Sequence, residues 1–190
     1  WTIDKSADKA TVYSAGGGES DPVTFTVGVI KSAPVDSAWA VTGKITIANP
    51  NDWEDITLTG LTDVVDNGGV CTVDPGPYVV PKSGALEVGY SCTYASAPSP
   101  ASGSNTATAT WDAASAHTPN GTAGGSKGFT FGAPTTVVND AIDVTDTNGK
   151  SWHFTGSGSQ TYQMTYTDKA GTCTTHKNTA TITQTQQADS

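Results

Sequence analysis

The chain has 190 residues and a formal net charge of −9; its nine basic residues are all lysine, and only 35% of it is hydrophobic. That balance argues against a nucleic-acid partner, which needs clustered Lys or Arg, and equally against an anionic membrane surface. No apolar run approaches the ~20 residues of a membrane-spanning helix, so membrane insertion is not expected.

Short runs that alternate apolar and small polar residues recur along the chain and predict strands. Trp1–Lys5 is the first, extended by Ala10–Tyr13 and ended by Gly16–Gly18. Val23–Val27 and Trp39–Ile47 follow. Asn49–Asp52 has turn chemistry, because Asx side chains mimic backbone turns and proline fixes φ. Ile56–Asp63 is the next strand, and Asp66–Gly69 is a turn signal. Strands at Cys71, Leu86–Tyr94 and Asn105–Trp111 complete about eight in the first 112 residues, the spacing of a two-sheet sandwich. Ala113–Ser126 lacks periodicity and reads as a linker or exposed loop. Beyond it, Phe129–Phe131, Thr136–Asp146, Ser151–Thr155, Thr161–Thr167 and Asn178–Thr185 predict further strands, with a hairpin turn at Asp146–Gly149.

Sandwich domains of this kind run near ~100 residues. The expectation is therefore an all-β chain of two Ig-like antiparallel β-sandwich modules, 1–112 and 113–190, the second shorter and incomplete. Cys71 and Cys92, on neighbouring predicted strands, form the expected disulfide, which implies an oxidising compartment. Cys173 is left over, its partner in another chain or beyond this one. The opening at Trp1 fits either a product trimmed of its targeting signal or an arbitrary boundary.

The halves echo each other. Asp55–Asp63 resembles Ala141–Asp146, and Tyr94 precedes Asn105–Ala109 much as Tyr166 precedes Asn178–Ile182. This is the signature of a degenerate internal repeat.

The run Cys71, Val73, Pro81, Gly84, Ser91–Tyr94, Gly103 and Asn105–Thr108 resembles the Ig-like conserved-repeat domains of bacterial and archaeal surface proteins. Asn49–Asn51 with Leu61–Asp63 resembles the middle section of the same domains. The resemblance covers most of residues 39–112 and, more loosely, 135–185. It implies a secreted or cell-surface structural protein, a segment or subunit of a fibre, filament or adhesin stalk, with no enzymatic activity. Its expected partners are copies of itself or neighbouring repeats. Related surface domains lock their first and last strands by a Lys–Asn amide, which points to Lys5 and Asn105 with Asp63 as the proton shuttle. A solvated Lys5 and an Asn105 in a turn are the competing reading.

Other chemistry is sparse. His117, His153 and His176 lack a ligand spacing, and Glu19, Glu54 and Glu87 form no glycosidase pair. Asp52, Glu54, Asp55, Asp63 and Asp66 cluster in sequence, which suits either solvated turns or Ca²⁺. No other cofactor is expected. Thr106–Thr110 and Thr179–Thr185 carry Thr ladders that suit an ice-binding face, but threonine also simply favours strands. Asn120–Thr122 is a glycosylation acceptor sequence. Trp39, Trp111 and Trp152 read as core. Trp53, in a polar turn, is the best candidate to stack on a sugar ring, which makes a carbohydrate-binding or adhesive tip the alternative function. A last expectation is that the second module is completed by a strand from outside it, such as Trp1–Ala7 of a neighbouring copy.

Overall fold

The computed structural model describes residues 1–189 and is all-β, with no helix among the described residues. It comprises two compact units. Unit 1 joins Trp1–Pro34 to the segment from Thr135 onward, and unit 2 is Val35–Pro134. The division at residues 112 and 113 is thus corrected: both ends of the chain build one unit, and the middle builds the other.

Unit 1 contains β1 (Thr2–Ala7), β2 (Val23–Ile30), β10 (Ile142–Asp146), β11 (Ser151–Phe154), β12 (Gly158–Met164), β13 (Ala180–Ile182) and β14 (Ala188–Asp189). One antiparallel sheet has the order β1-β2-β12 and the other β11-β10-β13-β14. Val27 and Val29 from the first sheet meet Ile142, Val144, Phe154, Ala180 and Ile182 from the second. Burial of a side chain such as Val27 or Ile142 contributes about 1.5–3 kcal/mol. The first 34 residues cannot make this core alone, since their single apolar sheet face needs a facing sheet. That sheet comes from the far end of the chain.

Unit 2 contains β3 (Ala40–Asn49), β4 (Ile56–Val65), β5 (Val70–Val73), β6 (Val79–Val80), β7 (Gly84–Thr93), β8 (Ser102–Trp111) and β9 (Thr122–Thr130). Its sheets have the orders β3-β7-β5 and β6-β4-β8-β9. Ile56, Leu58, Leu61, Val80, Val88 and Ala109 form its core. At one end Phe131 packs edge-on against Trp39, Tyr94 and Phe129.

The expected linker at 113–126 is instead a turn followed by β9. Asp112 accepts hydrogen bonds from the backbone of Ala114 and Ser115, which reverses the chain, and β9 then runs back along β8. Gly124 and Gly125, poor strand formers, hide this strand in the sequence. A Cβ at Gly124 would meet the Ala107 carbonyl oxygen at 3.0 Å, so glycine suits the close approach.

Other expectations shift. Ala10–Tyr13 is not a strand, the strand expected from Thr136 begins at Ile142, and that from Asn178 shortens to Ala180–Ile182. The turns at Asp66–Gly69 and Asp146–Gly149 stand, with Gly68 at φ 93° and Gly149 at φ 84°, left-handed values that glycine tolerates. The module taken as incomplete is closed by β1 and β2 of its own chain, pairing with each other and with β12. Ser190, at the expected open end, lies outside the described residues.

Candidate functional site

Unit 1 is bolted together by a buried polar cluster. On β1 the alternation that turns Ile3 towards the core turns Lys5 the same way. Its Nζ lies 2.8 Å from Asp146 Oδ2, and the two side chains are 2% and 0% exposed. Asp146 closes β10 and caps the following hairpin, where its Oδ1 accepts from the Asn148 amide at 3.2 Å. Its Oδ2 also accepts from the Tyr162 hydroxyl at 2.9 Å. Asn178 Nδ2 donates to that hydroxyl at 2.6 Å. Phe25 and Tyr162 stack at 5.3 Å. Lys5 Nζ sits 5.4 and 5.9 Å from their ring centroids, a cation–π arrangement. The Tyr162 phenol is pushed well above its usual range by burial first, then by its hydrogen bond to Asp146.

The β1 backbone is tied in as well: the Lys5 amide donates to Asp189 Oδ2 at 2.8 Å. Both Asp146 oxygens are satisfied, Oδ2 by Lys5 and Tyr162 and Oδ1 by the Asn148 amide, which a buried carboxylate requires. Chemically, the cluster joins an amine, a carboxylate and a primary carboxamide through one chain of hydrogen bonds.

Unit 2 carries the second cluster. Asp63 on β4 is 7% exposed and Asn105 on β8 also 7%. Asn105 Nδ2 donates to Asp63 Oδ2 at 2.7 Å. Cys92 Sγ lies 3.2 Å from the same oxygen, but as half of a disulfide it has no proton to donate. Asp63 Oδ1 has no hydrogen-bond partner among the described residues. Burial pushes the Asp63 carboxyl above its ordinary range, and the Asn105 hydrogen bond offsets part of that.

The expected set of Lys5, Asn105 and Asp63 is therefore split. Asp63 and Asn105 meet as anticipated, but Lys5 belongs to unit 1 and faces Asp146. Sequence reasoning missed Asp146, Tyr162 and Asn178. The signal was present in the echo of Asp63 by Asp146 and of Asn105 by Asn178. Proximity along the chain assigned Lys5 to the wrong copy.

Cys71 and Cys92 are bonded, S–S 2.06 Å, and stand opposite each other on β5 and β7. Cys173 is free and exposed. Of the five acidic residues considered for Ca²⁺, all but Asp52 are dispersed to separate partners. Asp55 accepts from the Lys82 amide, Glu54 faces His117, Asp66 accepts from the Ser104 amide, and Asp63 is buried. Among the described residues Asp63 clusters only with the disulfide sulfurs, which hold no free thiolate for a metal.

The histidines each face a single carboxylate: His117 with Glu54, His153 with Asp143 and His176 with Asp168. His153 and His176 hold the carboxyls of Asp143 and Asp168 below the usual range. Trp53 is 58% exposed and borders a groove of about 340 Å³ with Pro50, Trp111 and Pro119. Trp39, Trp111 and Trp152 are half-buried. No protein-family model, no curated protein and no solved structure matches this chain.

Proposed function

We propose that this chain is an extracellular structural protein, a segment or subunit of a cell-surface fibre or adhesin stalk, with no enzymatic role. The observation that carries the reading is the closure of unit 1. Strand β1 is held to residues more than 140 positions away by a buried Lys5–Asp146 contact (|i−j| of 141), so tension on the N-terminal strand acts on a solvent-shielded bolt. The disulfide supports an oxidising location, and the likeness to surface-repeat domains points the same way. Within this reading we take Lys5 and Asn178, linked through Asp146 and the Tyr162 hydroxyl by hydrogen bonds, as the pair that forms an amide. Lys5 Nζ first gives a proton to Asp146 and attacks the Asn178 carboxamide carbon as the neutral amine. A second Nζ proton passes through the Asp146 carboxyl to the leaving nitrogen, the C–N bond breaks, ammonia leaves, and Asp146 is left protonated.

Electron microscopy of native material tests the function. Long thin polymers are expected; a protein that stays monomeric on its native surface would overturn it.

A carbohydrate-binding tip is the second reading, favoured by the exposed Trp53 at its groove. Glycan-array binding that disappears in Trp53→Ala would establish it.

A further inference from the structure

Unit 2 repeats the registers of unit 1 but has no strand in the place of β1; its third strand in that sheet, β5, lies on the other side of β7. In unit 1, Asp146 stands opposite Ala180, two residues after Asn178. In unit 2, Asp63 stands opposite Ala107, two residues after Asn105. Tyr162 pairs with Phe25, and Tyr90 pairs with Gly43. The registers therefore equate β2 with β3, β10 with β4, β12 with β7 and β13 with β8. Strand β1 has no counterpart. It covers the outer edge of β2, whereas β3 ends its sheet, and among the described residues nothing pairs with its outer edge.

The gap shows in the packing. Val27 and Val29, beneath β1, are 0% and 2% exposed. Their counterparts Ile45 and Ile47 are only half-buried and line a groove of about 410 Å³ together with Tyr90 and the buried Asn105. Beside these two lies Asp63, whose buried Oδ1 lacks a partner. The matching carboxylate of unit 1 is met by the lysine of β1. The same element is thus absent by three measures: a bare sheet edge, an uncovered apolar row and a buried carboxylate without its cation.

We propose that the outer edge of β3 accepts an extended strand from another polypeptide, of the β1 type: alternating apolar residues with one inward lysine that reaches Asp63. By the register of β1, where Lys5 stands opposite Val27, the incoming lysine stands opposite Ile45. Backbone hydrogen bonds along the edge supply affinity, and the groove reads alternate side chains. A copy's own β1 is engaged in its unit 1, so the donor is a segment its own sandwich does not need. This names the partner in the fibre reading and rests on it only for biological setting.

The test uses the full chain and a synthetic peptide of residues 1–8, Trp-Thr-Ile-Asp-Lys-Ser-Ala-Asp, beside its Lys5→Met version. Saturable binding is expected, with slowed amide exchange in Ala40–Asn49. The methionine peptide should bind at least about tenfold more weakly, the scale of a lost hydrogen bond to a charged group. In full-length Asp63→Asn the two peptides should bind alike. An unchanged exchange rate in β3 would overturn the proposal, as would slowing confined to Val23–Ile30, which reports exchange into unit 1. Equal affinities for the wild-type chain would remove the lysine from it. Native material without polymers would remove the fibre reading while leaving a positive docking result standing.

Discussion

Lys5 on the first strand and Asp146 at the end of β10 meet at 2.8 Å with both side chains out of solvent, although 141 positions separate them. Breaking such a buried pair from one side leaves an uncompensated charge and costs about 3–5 kcal/mol. In the uncrosslinked chain, where the ion pair stands, Lys5→Met should therefore destabilise unit 1 by that amount, measured by denaturant unfolding. Adding Asp146→Asn should recover part of the loss. A double variant as unstable as the sum of the single ones would contradict coupling between the two residues.

Intact mass decides whether the Lys5–Asn178 amide forms. Where it forms, the mass is lower than that of the sequence by one ammonia, and a cross-linked peptide joins the segment of Lys5 to that of Asn178. Asn178→Ala and Lys5→Met should each restore the full mass. A native protein of full mass would end the amide while leaving the ion pair in place.

Asp63 gives unit 2 a pH dependence of defined sign. Burial raises its folded-state pKa above that of the unfolded chain. Its contribution to stability is complete below the ordinary Asp range and is lost as pH rises through the elevated folded value. Asp63→Asn keeps the shape and removes the charge. The variant should unfold at a higher temperature than wild type at neutral pH, and the difference should shrink towards acid. A variant less stable at neutral pH would show that the ionised carboxylate stabilises the fold.

The cysteines separate by exposure. Cys173 is exposed and free, so a thiol reagent should label one site per native chain, in the peptide containing Cys173. Closing a loop across 21 positions contributes about 3 kcal/mol through the unfolded state. A Cys71→Ser/Cys92→Ser variant should lose stability on that scale in unit 2 and little in unit 1. Labelling of Cys71 or Cys92 without reduction would contradict the pairing.

The sequence by itself determined what depends on neighbours along the chain. Period-two alternation placed β2, β3, β4 and β7, because it marks which face of a strand is buried whatever covers it. Asx–Gly spacing placed the two turns, since glycine alone takes their positive φ easily. Cys71 and Cys92 were legible as a pair because one turn region brings their strands together. What only the tertiary structure decided was which distant segments share a core. An apolar strand face specifies that it must be covered but not by which sheet, so Trp1–Pro34 looked like the start of the nearest module and proves to be part of the unit built by the far end of the chain. The same ambiguity sent Lys5 to Asp63 in the reading and to Asp146 in the fold. A buried lysine needs a carboxylate, and the repeat offered two in equivalent registers. Strand pairing across the whole chain chose between them, and left the other without its lysine.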